Sequence, residues 1–302
     1  MKYGYIGLGN LGKHLAASLR RAGFEVVVND LDRDAAKSLL EAGCTWAASP
    51  RELAAQVDCV ITCLPSPAAS NTVLTGPDGV LQGLRRGGTW IEMSTTDERE
   101  IKRIAALAAD QGISTLECPV TGGVHLAAQG KITVLGGGEQ AVFDAHRPAL
   151  AAMGGQIFYM GELGKASVIK VITNMLAFIH LVACGEALML AKRGGLDLAQ
   201  AFHAIQASSG TSFVHETEGQ LVLNGSYDIN FTMDLACKDL GFAYEYGRKF
   251  GVPLELAGLT EQIFRRGRSQ YGSEAQSTQI VKLLEDALGT DLRAPGFPSK
   301  LS

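Results

Sequence analysis

The chain has 302 residues, enough for two domains, and its 46% hydrophobic and 19% charged residues suit a globular protein with a substantial core. A formal net charge of -4 argues against nucleic acid as the main partner, because phosphate binding needs clustered positive charge, and the densest basic cluster, Arg265-Arg266-Gly267-Arg268, reads as a solvated helix end. The cysteines (Cys44, Cys59, Cys63, Cys118, Cys184 and Cys237) form no Cys-x-x-Cys pair and sit mostly in apolar runs, which suits a reducing, cytoplasmic setting.

The N-terminus enters a strand pattern at once, so no signal peptide is expected. Apolar, β-branched runs at residues 3–6, 26–28, 59–63, 89–91 and 132–135 alternate with amphipathic stretches at 11–22, 33–42 and 97–111. Short apolar strands alternating with such helices predict an α/β fold of the Rossmann type, a doubly wound parallel sheet covered on both faces. Ser49-Pro50-Arg51-Glu52 carries a helix start: a Ser cap, Pro in the first turn and Glu three residues after the cap.

Near residue 160 the strand signal stops at Gly161-Glu162-Leu163-Gly164. A long helix is expected over 165–192, ending at Gly194-Gly195, with further helices over 197–207, 233–250, 254–268 and 277–288. Residues 290–302 read as a loose or docked arm. The layout is a dinucleotide-binding domain over 1–162, then a long inter-domain helix and an all-α substrate and dimerisation domain over 163–295. Residues 171–191 match a membrane-spanning helix in length, but Asn174, His180 and Glu186 are costly in lipid, so a helix buried between protein surfaces is expected instead.

Gly7-Leu8-Gly9-Asn10-Leu11-Gly12 follows the first strand directly and opens the first helix. Gly7 is placed for a tight turn, Gly9 for approach of a pyrophosphate to the backbone, and Gly12 for helix-on-strand packing. The helix N-terminus offers free N–H groups to the anion. The second strand ends in Asn29-Asp30, where an acid accepts from ribose hydroxyls and repels the 2′-phosphate of NADP, so NAD is expected over NADP. Asp30 and Asp32 also fit the simpler part of caps for the next helix.

Three further stretches carry chemistry. Glu92-Met93-Ser94-Thr95-Thr96 ends an apolar strand, where ligands gather in doubly wound sheets. Cys118-Pro119-Val120-Thr121-Gly122-Gly123 offers a hydroxyl and backbone N–H groups to a carboxylate. Lys170 and Asn174 lie four apart and share one face of the long helix. Lys170 stands among Val168, Ile169, Val171 and Ile172, and an amine held partly dry loses preference for its charged form, as proton removal from an alcohol requires. Spacing alone fits a snorkelling surface lysine as well.

In this order the motifs resemble those of the β-hydroxyacid dehydrogenases, the family of 3-hydroxyisobutyrate dehydrogenase and tartronate semialdehyde reductase, related to 6-phosphogluconate dehydrogenase. The glycine segment is similar to the family's GLGxMG, with Leu11 in the Met place, and Leu64-Pro65 to its cofactor-contacting LP turn. Glu92 to Thr96 resembles DxST, which implies that Thr95 lies against the cofactor; the segment from Cys118 to Gly123 resembles the substrate-binding APVSGG, continued by Ala127 and Gly130. Lys170 and Asn174 match KxxxN, whose lysine is the catalytic acid/base, and Asp234-Leu235-Ala236-Cys237-Lys238-Asp239 matches DLxxKD, which implies that Lys238 reaches the cofactor. Without the resemblance, Lys238-Asp239 reads as a helix-surface charge pair. Thr121 replaces the family's Ser, Glu92 and Glu117 replace aspartates, and Phe213 follows a serine-rich substrate loop at a place often held by Trp. These departures bear on the substrate rather than the reaction.

The expected activity is hydride transfer between NAD and a small non-phosphorylated β-hydroxy acid or its semialdehyde. Thr121, Gly122 and Gly123 are expected to hold the carboxylate, and His125 and Phe213 to tune specificity. The six histidines have no metal-ligand spacing, so no metal is expected. An imine reductase-like enzyme and a non-catalytic dinucleotide-binding protein are the rival readings, and both typically lack the lysine. The long helix and small helical domain predict a homodimer or homotetramer, with no nucleic acid or membrane partner.

Overall fold

In the computed structural model, which describes residues 1–301, nine strands form between Lys2 and Tyr159. They are β1 (Lys2–Ile6), β2 (Glu25–Asn29), β3 (Thr45–Trp46), β4 (Cys59–Thr62), β5 (Thr89–Glu92), β6 (Ser114–Glu117), β7 (Val120–Thr121), β8 (Ile132–Gly138) and β9 (Gly154–Tyr159). The sheet order is β3-β2-β1-β4-β5-β6-β8-β7, with β9 also on β8. From β3 to β6 every pairing is parallel. The expected all-parallel sheet does not extend further, because β8 runs antiparallel to both β6 and β7. β6 and β7 keep one register against β8, from Leu116 opposite Gly138 to Thr121 opposite Thr133, and the chain turns back only after Thr121, through Gly122-Gly123 and the short helix Val124–Ala128.

Successive residues of the central strands point into different cores. Val26 and Val28 enter one hydrophobic cluster with Tyr3, Tyr5, Leu15, Leu19 and Phe143, whereas Val27 joins Leu53, Leu74, Trp90 and Ile104 in another. Burial on both faces is why these strands read as continuous apolar runs. The helix start at Ser49 forms as its sequence prescribes: Ser49 Oγ accepts from Glu52 N at 3.1 Å, and Glu52 accepts from Ala48 N at 2.9 Å. The stretch 33–42 departs from a single helix, forming a 3₁₀ turn Arg33–Ala36 and a short helix Lys37–Glu41.

The chain divides into two compact units, Met1–Lys170 and Val171 onward. The long helix, Lys165–Arg193, belongs to both by continuity of the backbone. Within the second unit Phe178, Leu181 and Leu188 of this helix enter a core with Phe202, Met233, Leu240, Phe264 and Val281. The opposite stripe, Ile172, Leu176 and Leu190, is exposed. The helix is long and apolar enough to cross a membrane, with a mean hydropathy of 1.8, and 33% of that apolar window is buried within the chain itself. The tail is docked: Leu292 is buried and donates its N–H to Glu285 at 2.7 Å, and Arg293 reaches Val222 O, Glu285 and the Tyr227 hydroxyl.

One buried titratable group sets a pH dependence for the first unit. His146, on the helix Gln140–Met153, is 2% exposed, and its Nδ1 lies 3.1 Å from the Tyr3 hydroxyl. Burial pulls its pKa down to about 4. The folded state therefore binds fewer protons than the unfolded chain, so stability present above pH 6.5 is lost as pH falls toward 4. Between pH 7 and 4.5 the wild type should lose about 2–3 kcal/mol more than His146→Gln, read from urea unfolding. Parallel losses in the two proteins would remove His146 from the account.

Candidate active site

Because β1, β2, β4 and β5 are parallel, their carboxyl ends share one edge of the sheet. The order reverses between β1 and β4, the switch point at which ligands of such sheets bind. The glycine turn sits there. Gly7 has φ +96°, and a Cβ on it would lie 2.2 Å from the Cys63 carbonyl oxygen. A Cβ on Gly12 would lie 2.0 Å from the Gly7 carbonyl oxygen. Gly9 differs: a Cβ there would meet nothing within 4 Å, and Gly9 and Asn10 are exposed. The fold itself forbids side chains at Gly7 and Gly12, whereas the open space above Gly9 is a cradle that a side chain would fill.

The helix that follows, Gly12–Arg21, has no side-chain cap and no acid in its first turn, so its N-terminal partial positive charge is not neutralised locally. Leu8 is buried beneath the turn and Leu11 is half-buried. At the end of β2, Asp30 accepts from Leu8 N at 2.6 Å and from Asp32 N at 2.9 Å, which fixes its carboxylate beside the turn. Asn29 turns its amide inward, donating to Ala47 O at 2.9 Å. The capping part open to the two aspartates falls to Asp32, which accepts from Asp34 N. These residues fit a dinucleotide: a pyrophosphate against Gly9 and the helix, and ribose hydroxyls on Asp30.

The next two strand ends are tied together. Leu64 N donates to Ser94 Oγ at 2.7 Å, and the Ser94 hydroxyl and N–H both donate to Glu92. This chain of bonds holds the Leu64-Pro65 turn and places Thr95 just beyond β5. Burial pushes the Glu92 pKa up, with the Ser94 bonds opposing it. Further along the edge, Thr121 ends β7, and Gly122 and Gly123 adopt φ +120° and +89°. His125 lies on the short helix Val124–Ala128, where partial burial lowers its pKa and keeps the imidazole neutral near pH 7.

Lys170 is 7% exposed and Asn174 8%, one helical turn apart on the long helix. In the first unit the start of this helix is held by Glu117, the last residue of β6, whose carboxylate accepts from the N–H groups of Gly164, Ala166 and Ser167 and from the Ser167 hydroxyl. In the second unit Asn174 donates to Asp239 at 2.6 Å, and Lys238 forms an ion pair with Asp239 at 2.8 Å while lying over the Phe242 ring. The Lys238-Asp239 pair is therefore not the solvated surface pair that its spacing suggests, since Asp239 is 1% exposed. Phe213 starts a short helix and is exposed. Ser94, Glu117 and Asp239 stand in or beside the motifs of the sequence, but their anchoring parts do not follow from it. No period or spacing around Ser94, Glu117 or Asp239 announces a buried anchor.

Comparison with known proteins follows the same division. Residues 2–161 match the family described as the NAD binding domain of 6-phosphogluconate dehydrogenase, and residues 164–284 match the NAD-binding family of NADP-dependent 3-hydroxyisobutyrate dehydrogenase. The chain is 31% identical to 2-(hydroxymethyl)glutarate dehydrogenase of Eubacterium barkeri, covering 97% of each chain. It is 32% identical to the mitochondrial 3-hydroxyisobutyrate dehydrogenase of Mus musculus, over 94% of this chain and 87% of that one. The crystal structure of 3-hydroxyisobutyrate dehydrogenase from Salmonella typhimurium superposes with a TM-score of 0.87 at 30% identity, over 94% of this chain and 99% of the other.

The three glycines separate experimentally. Gly9→Ala should keep the wild-type melting temperature but weaken dinucleotide binding by about 10-fold or more, by loss of close backbone approach. Gly12→Ala should lower the melting temperature by several degrees, about 1–3 kcal/mol of overpacking. Calorimetric titration and thermal unfolding of both variants read this directly. Equal dinucleotide affinity in Gly9→Ala would remove the cradle.

Proposed function

We infer that this chain, which belongs to the β-hydroxyacid dehydrogenase family, moves a hydride between NAD and a small, non-phosphorylated β-hydroxy acid or its semialdehyde. The observation that carries the reading is the buried Lys170 amine, one turn from Asn174, on a helix whose first turn is bonded to the edge that also holds the glycine turn. A bound dinucleotide supplies the hydride acceptor for alcohol oxidation and the hydride donor for the reverse. The chain's residues do the rest. The Thr121 hydroxyl and the N–H groups of Gly122 and Gly123 hold the carboxylate, Asn174 orients the hydroxyl, and Lys170 Nζ takes its proton. Asp239 keeps the Asn174 amide from rotating. His125 and Phe213 tune which acid is accepted.

The fixed Asp30 carboxylate supports NAD over NADP, because a 2′-phosphate beside it meets a like charge. Arg33, the nearest cation in sequence, lies over the Trp46 ring. The partner is a small carboxylate rather than a nucleic acid or a membrane, and the six free cysteines suit a cytoplasmic setting. The exposed Ile172, Leu176 and Leu190 stripe supports a homodimer or homotetramer that covers it.

Lys170→Ala should lower kcat by about 100-fold or more, the usual size of general acid–base catalysis, with NAD affinity unchanged. Turnover like the wild type's would remove the assignment. A panel of 3-hydroxyisobutyrate, L-serine and 2-(hydroxymethyl)glutarate, each with NAD and NADP, identifies the substrate. In Asp30→Ala the NADP to NAD ratio of kcat/KM should rise about 10-fold, as removal of a like-charge contact predicts. Light scattering at micromolar concentration should return a dimer or tetramer, and a monomer would count against the covered stripe.

A further inference from the structure

Glu117 is fully buried and departs from the aspartate of the motif that its segment resembles. A buried carboxylate is costly unless its oxygens are filled, and here both are. One oxygen accepts from Gly164 N and from Ala166 N at 2.9 Å; the other accepts from Ser167 N at 3.1 Å and from the Ser167 hydroxyl. These N–H groups are the orphan donors of a helix start, so the anion also meets the positive end of the helix dipole. The fold makes room for the longer side chain. A Cβ on Gly137 would lie 2.6 Å from Glu117 Oε1, so the neighbouring strand carries glycine where the carboxylate passes.

The grip is local and its consequence is not. Ser167 precedes Lys170 by three residues, so fixing the N–H and hydroxyl of Ser167 sets the rotation and rise of the turn from which the Lys170 side chain departs. Burial raises the Glu117 pKa and the four donors oppose that rise, a balance in which the bonded geometry is held by every donor at once.

We propose that Glu117 is a positioning residue for the dehydrogenase reaction: its carboxylate clamps the first turn of the long helix to the end of β6 and so fixes where the Lys170 amine stands. The proposal rests on the acid/base role of Lys170. Glu117→Gln places an amide that donates where donors already point, and Glu117→Asp keeps the charge but is one methylene too short to reach every donor. Amide hydrogen exchange should quicken in residues 164–170 of both full-length variants, with residues 1–22 unchanged. With 3-hydroxyisobutyrate and NAD, kcat should fall about 10–100-fold in Glu117→Gln, the scale of a misplacement near 1 Å, and less in Glu117→Asp, with NAD affinity kept.

The deciding readout is the deuterium isotope effect on kcat with 3-hydroxyisobutyrate labelled at its carbinol carbon. Slowed chemistry raises the effect, whereas a smaller folded fraction lowers the rate and leaves it unchanged. Wild-type kcat and isotope effect in both variants, beside an inactive Lys170→Ala, would overturn the role of Glu117 alone. An active Lys170→Ala would overturn the functional reading itself. Should Glu117→Gln fail to fold, Glu117→Asp decides by the same measurements.

Discussion

The sheet edge depends on the approach of the Gly12 α-carbon to the Gly7 carbonyl and of Gly7 to the Cys63 carbonyl, each closer than any side chain permits. These two contacts bring the first helix onto β1 and β1 onto the end of β4. Everything on the sheet edge is referenced to them. The helix terminus faces the switch point because Gly12 lets it descend, and Asp30 is bonded to Leu8 N because the turn presents that N–H sideways. Gly9 stands apart as a glycine that no protein atom requires. The fold places no steric demand at Gly9, in contrast to its two neighbours in the same six-residue motif.

Buried carboxylates carry the same logic outward. Glu92 holds the Leu64-Pro65 turn through Ser94, and Glu117 holds the long helix. Asp239 holds Asn174 within the second unit. Both oxygens of Glu117 are filled by donors from the helix start it holds, whereas Glu92 accepts from Ser94 on one oxygen and Asp239 accepts from Asn174 on one oxygen and pairs with Lys238 on the other. Replacing such a group by an apolar one of equal size need not cost stability. What would be lost is the fixed placement of a loop or helix start, on which a reaction needing sub-ångström alignment depends.

Much of this was legible in the sequence for identifiable reasons. Strands buried on both faces advertise themselves as apolar runs, so β1, β2, β4, β5 and β8 were visible. The short or polar strands were not: β3 has two residues, β6 begins Ser-Thr, and β9 is largely exposed. The antiparallel turn-back of β8 was hidden because alternation of strand and helix says nothing of direction once a glycine turn replaces a crossover. At the site, residues defined by a motif were legible at once, while Ser94 and Glu117 were not. Their work consists of tertiary hydrogen bonds between segments up to 50 residues apart, and no local pattern encodes those.

The departures from the family pattern sort accordingly. Glu92 and Glu117 look, in sequence, like changes near the substrate. Both are buried: the two Glu117 oxygens and one Glu92 oxygen meet backbone and serine donors of the scaffold, so their extra methylenes bear on how loops are anchored. Thr121 and His125 are only partly buried and Phe213 is exposed, and these three side chains remain free to differ without disturbing a core. Variation at these positions changes a threonine methyl, an imidazole and an aromatic ring rather than a buried anchor. None of the three brings a fixed positive charge.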